Sequence, residues 1–126
     1  MTQEDKDLLL KDLCTRLPYA PIIKCTLKGV KSNTNIICKL DVEHLDELLY
    51  DGEFFTDIKP YLRPMSSQTS EEREELNNIL EYQYCSDDSC MCEAIDWLNE
   101  HHFDYRGLIE KGLAIEVTEE NNPYKD

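Results

Sequence analysis

The stretch Ile22-Ile23-Lys24-Cys25-Thr26-Leu27-Lys28 (IIKCTLK) puts Ile23, Cys25 and Leu27 on one side of an extended chain and Lys24, Thr26 and Lys28 on the other. Successive strand residues point to opposite faces, so this alternation predicts a strand with one buried face. Asn35 to Leu40 (NIICKL) repeats the pattern with Ile36, Cys38 and Leu40 on one face. Gly29, Ser32 and Asn33 lie between the two runs, and these residue types form turns. The whole reads as a β-hairpin.

Helical spacing takes over on both sides. Thr2 caps a first helix, with Asp5 in the third helical position, and Leu9, Leu10, Leu13, Cys14 and Leu17 recur every three or four residues before Pro18 ends the run. After the hairpin, Val42, Leu45, Leu48 and Leu49 fit a helix capped by Asp41, although Val42–Tyr50 is short enough to be a strand. Pro60 and Pro64 bracket YLR in a segment that reads as an ordered connector, because proline forbids regular helix and restricts the residue before it. Thr69-x-x-Glu72 is a capping box opening a helix to about Tyr82. A further helix spans about Cys90–His101, with Met91, Ala94 or Ile95, and Leu98 inward and Trp97 at its flank. Asp104 would cap a short helix that Gly112 ends, and Leu113–Val117 alternates like a last strand. Helix, hairpin, helices and late strand do not alternate as βαβ units, so the expected class is α+β: one compact domain over 1–118, a short antiparallel sheet of three or more strands and three to four helices. Residues 119–126 read as a polar tail.

Composition bounds the function classes. The chain has 126 residues with 13 Lys and Arg against 27 Asp and Glu, a formal charge of −14. Non-specific nucleic-acid binding depends on cations neutralising phosphates, so direct nucleic-acid binding is not expected. No basic stretch leads into an apolar run at the N-terminus, and no run approaches the ~20 apolar residues of a membrane span, so a cytoplasmic protein without membrane contact is expected. Six cysteines in that setting read as free thiols.

Three blocks, Met1–Tyr19 (MTQEDKDLLLKDLCTRLPY), Ile58–Thr69 (IKPYLRPMSSQT) and Ile95–Glu116 (IDWLNEHHFDYRGLIEKGLAIE), together resemble a family of small proteins encoded by phages, prophages and mobile elements of anaerobic gut bacteria. The resemblance implies origin rather than activity and carries over no catalytic or ligand residue. Pro21–Asp57 and Tyr82–Cys92 fall in variable stretches of such proteins, and Val117-Thr118-Glu119 stands where an alanine–proline pair is expected.

Four sets of residues bear chemistry. Cys85, Cys90 and Cys92 with His101 or His102 have the donor types of a zinc site, but C-x4-C-x-C departs from the C-x2–4-C pairs of structural zinc, so no metal or other cofactor is expected. Cys90 at a helix start could act as a nucleophile, yet Asp87 and Asp88 oppose a thiolate there and no catalytic motif accompanies it, so the protein is not expected to be an enzyme. Trp97, His101, His102, Tyr105 and Arg106 gather residue types common at interface hot spots and form the candidate partner-binding set. The competing reading has Asp104 as a cap, Arg106 paired with a carboxylate, and Phe103 and Tyr105 packed inward. Acidic runs at Glu71, Glu72, Glu74, Glu75 and from Asp41 to Asp57 favour basic partners. The expected function is a non-enzymatic accessory protein that binds an unidentified protein partner. The alternatives are an acidic mimic of DNA and a small zinc protein using Cys85, Cys90, Cys92 and a histidine.

Overall fold

Hairpin alternation becomes an antiparallel pair, β1 (Ile22–Lys28) and β2 (Asn33–Lys39), in register from Ile22 opposite Lys39 to Lys28 opposite Asn33. A Cβ at Gly29 would collide with the Ser32 carbonyl, which is why the turn uses glycine there. The computed structural model describes residues 2–29, 32–50, 54–81 and 89–124, with backbone alone at 81 and 89–91.

The expected connector is instead the central strand, β3 (Phe55–Pro64). Two prolines argue against a central strand because each removes a ladder donor. Here Pro60 sits where pairing changes hands. Residues 55–60 pair antiparallel with β1, whereas Tyr61 and Leu62 pair with β5 (Ile115–Glu116), and Arg63 and Pro64 with β4 (Phe103–Asp104), both in parallel. Asp57 and Ile58 together oppose Cys25 as a bulge, with Asp57 left-handed at φ 52°. The sheet is therefore mixed, in the order β2-β1-β3-β4 with β5 also on β3, rather than wholly antiparallel. Parallel pairing needs a long crossover, and two helices supply it: α3 (Ser70–Glu81) and α4 (Ser89–Glu100). The fold class is α+β.

Helix α1 (Gln3–Arg16) begins where Thr2 Oγ1 accepts the Asp5 N–H at 3.1 Å. Its inward face is Leu9, Asp12, Leu13 and Arg16, while Cys14 is exposed, so the buried stripe lies one position round from the apolar one expected. Helix α2 (Val42–Tyr50) resolves the helix-or-strand ambiguity. Leu9, Leu13, Ile23, Cys25, Leu40, Leu48, Ile58, Leu62, Leu108 and Leu113 form one core between α1, α2 and one sheet face. The opposite face carries Lys24, Thr26 and Asn35, the last two hydrogen-bonded across strands.

The capping box on α3 is complete: Glu72 N donates to Thr69 Oγ1 at 3.1 Å and Thr69 N to Glu72 Oε1 at 3.0 Å. On α4 the inward residues are Ala94 and Trp97, with Ile95 outside. Asp104 does cap, accepting Leu108 N and Ile109 N at 3.0 Å each, but a chain of turns follows instead of a helix because Gly107 is left-handed at φ 76°. The expected polar tail is tied down at Tyr124, whose hydroxyl donates to Tyr61 O at 2.8 Å and accepts from Ile22 N at 2.9 Å. Among the described residues no helix is long and apolar enough to cross a membrane.

Candidate functional site

The five side chains singled out as a partner-binding set are distributed over three internal networks. Trp97 is buried beside Phe103, with ring centroids 5.7 Å apart, and its indole N–H donates to Glu75 at 3.1 Å. His101 tilts over Trp97 at 4.2 Å, with Nδ1 3.5 Å from Glu72 Oε2. Arg63 grips that same Glu72 through two bonds of 2.7 Å and lies 4.2 Å over the Phe103 ring. These Arg63 bonds hold the Glu72 carboxyl down to about 2.

His102 faces elsewhere, stacked on Tyr124 at 3.8 Å. Burial first, then the positive charges of Arg16, His101 and Arg63, push its pKa down to about 4. Tyr105 donates to Asn99 Oδ1 at 2.8 Å, and its ring lies 5.1 Å from each of the Arg16 and Arg106 guanidinium centres. Sequence reading missed what these surround. Arg16 and Asp12, both fully buried, pair at 2.7 Å, Arg16 donates to Phe103 O at 2.6 Å, and Arg106 stands 3.5 Å from Asp12 Oδ1. The available signal was the four-residue Asp-to-Arg spacing inside an otherwise apolar helical stripe.

Much of the zinc ligand set weighed from the sequence falls outside the described residues. Cys85 and the Cys90 side chain lie outside them, and Cys92 is exposed. A different set does converge. Cys25 on β1, Cys38 on β2 and His44 in the first turn of α2 bring their donor atoms within 4.8 Å of one another, with Cys38 Sγ 3.7 Å from His44 Nε2. The hairpin register places both sulfurs on the core face, since Cys38 lies opposite Ile23 and Cys25 opposite Ile36. Burial and the neighbouring Cys38 push the Cys25 thiol up to about 11, and burial also raises Cys38. His44 is set by the cap: it occupies the third helical position, and the Asp41 amide donates to its Nδ1 at 3.0 Å. The ring proton therefore sits on Nε2, which points at Cys38. The signal for this set was a cysteine on the same face of each predicted strand and a histidine three residues after the cap.

Phe55 touches the far side of His44, edge-on at 4.9 Å, and also lines a shallow groove. Leu27, Phe54 and Phe55 form one wall of it and Glu43, Asp46 and Glu47 of α2 the other. Phe54 is 68% exposed, and Tyr50 and Leu49 at the end of α2 are 75% and 49% exposed. Glu47 Oε2 is shielded from solvent and meets no hydrogen-bond donor among the described residues.

No protein-family model, curated protein or solved structure matches the chain.

Proposed function

We propose that this is a non-enzymatic binding protein whose groove between α2 and the ends of β1 and β3 takes a short, basic, amphipathic segment of a partner protein. The supporting observation is the pairing of an apolar wall, exposed Phe54 and Leu27 with half-buried Phe55, and an acidic wall, Glu43, Asp46 and Glu47. Contiguous apolar side chains rimmed by charge are the usual marks of an interaction surface. A helix laid into the groove would put its apolar stripe on the phenylalanines and its lysines or arginines on the α2 carboxylates. On α3, Glu72 and Glu75 are engaged by Arg63 and Trp97, so that acidic run is less suited than the groove to meet a partner.

A leucine–lysine amphipathic helical peptide, titrated calorimetrically, tests the reading. Binding should weaken about tenfold or more in Phe54→Ser and in the double variant Glu43→Gln/Asp46→Asn. It should hold within about twofold in Glu71→Gln/Glu74→Gln, which removes equal charge from α3. Equal binding of a peptide of the same composition scrambled to lose its apolar stripe, or equal loss in the α3 variant, would reduce the interaction to diffuse charge attraction and refute the groove.

A further inference from the structure

We infer that Cys25, Cys38 and His44 form a zinc site, with a ligand set independent of whatever occupies the groove. Two thiolates and an imidazole are donors that zinc prefers, and three protein ligands leave its fourth position for water. The Cys38–His44 spacing is close to what the ion requires, and all three donor atoms lie within 4.8 Å of one another. A tetrahedral zinc with bonds of about 2.3 Å to sulfur and about 2.0–2.1 Å to nitrogen sets sulfur and nitrogen ligands roughly 3.6 Å apart, and Cys38 Sγ is already 3.7 Å from His44 Nε2. The paired strands hold both cysteines, and the Phe55 ring packs edge-on against His44 in the first turn of α2.

Charge favours a divalent ion at this depth. Cys25 is 1% and His44 6% exposed, and two thiolates with one dication sum to zero, which avoids an uncompensated buried charge. Loading balances as follows: each thiol releases its proton to solvent as its sulfur takes the metal, and the imidazole proton leaves Nε2 while Nδ1 gains one. Nδ1 then no longer accepts the Asp41 amide, so metal binding releases that hydrogen bond and alters the first turn of α2.

The test uses the full chain, stripped of metal by a chelator and kept reduced with a phosphine, titrated first with Co2+ as a spectroscopic probe and then with Zn2+. One equivalent of Co2+ should bring thiolate-to-cobalt charge-transfer absorption and intense tetrahedral visible bands, both displaced by Zn2+. Cys38→Ser and Cys25→Ser should each weaken binding more than about 100-fold, beyond the loss usual for an outer-shell partner. His44→Gln keeps an acceptor for the Asp41 amide, so it removes the ligand while sparing the cap. Cys14→Ser and Cys92→Ser should leave stoichiometry and spectrum unchanged. In long-range 1H–15N spectra, Zn2+ should move the His44 proton from Nε2 to Nδ1. Absence of thiolate charge transfer, its loss in Cys92→Ser, or a His44 tautomer unchanged at one equivalent of bound Zn2+ would each overturn the assignment.

Discussion

Where β4 meets α1, polar side chains close on one another: Asp12 on Arg16 and Arg106, Glu72 on Arg63 and the α3 cap, Tyr105 on Asn99. That junction still leaves Asp12 Oδ1, Arg16 Nη1 and His102 Nδ1 without hydrogen bonds among the described residues. Around α2 the contrast is of kind: metal-type donors and exposed apolar side chains replace ion pairs. Three metal-type donors converge, with Cys38 in contact with both Cys25 and His44 and the Asp41 amide on His44, a shielded Glu47 oxygen has no donor among the described residues, and Phe54 stands in solvent. A region whose partners are internal stabilises the fold. The α2 side is where the proposed groove and metal site lie. Trp97, His101 and Arg106, the expected recognition patch, all make internal contacts, whereas Cys25 and Cys38 look like ordinary hairpin residues.

Substitutions should therefore cost stability in the first region and function in the second. Asp12→Ala should have the largest effect, about 3–5 kcal/mol in urea denaturation, because it leaves the Arg16 charge buried without its carboxylate. A loss under about 1 kcal/mol would mean the pair is far better hydrated than its geometry shows. Glu72→Gln comes next, at about 1–3 kcal/mol near neutral pH. The Glu72 carboxyl ionises near 2 when folded and near 4.3 when unfolded, so its contribution is complete above about pH 4.3 and fades as pH falls toward 2. The wild type should lose stability in that window and the variant should lose less.

His102 acts in an adjoining window. An unfolded histidine takes up its proton near pH 6.5, while His102 resists until about 4. The unfolded chain binds more protons between these values, so stability falls as pH drops from 6.5 through 4. His102 is left-handed at φ 62°, a conformation asparagine tolerates. His102→Asn should therefore keep the backbone and flatten this slope, and an unaltered slope would show that another group titrates there. Phe54→Ser should change stability least, within about 0.5 kcal/mol, while removing peptide binding. A large stability loss would move Phe54 into the first region.

The sequence shows the hairpin, the helix caps and the α+β class because each is local: alternation, Thr2, and Thr69 with Glu72 signal over a few residues. The central strand was hidden, since Pro60 and Pro64 exclude an ordinary ladder and only the handover from β1 to β5 and β4 accommodates them. The short helix after Asp104 failed for a similar reason: the cap is real, but Gly107 turns the chain away. The Cys25–Cys38–His44 set was half legible, with both cysteines on the correct face. Bringing His44 onto them required the fold of α2 back over the hairpin. The buried Asp12–Arg16 pair was legible only as a spacing, because nothing local says which way an amphipathic helix rotates against its sheet.

Amide chemical-shift mapping of the 15N-labelled protein during titration with the leucine–lysine peptide compares the two regions in one measurement. The largest perturbations should fall on Leu27, Glu43, Asp46, Glu47, Phe54 and Phe55, with Trp97, His101, Tyr105 and Arg106 unmoved. Perturbations centred on Trp97 to Arg106, with the α2 groove silent, would contradict the division of the molecule into a stabilising junction and a binding face.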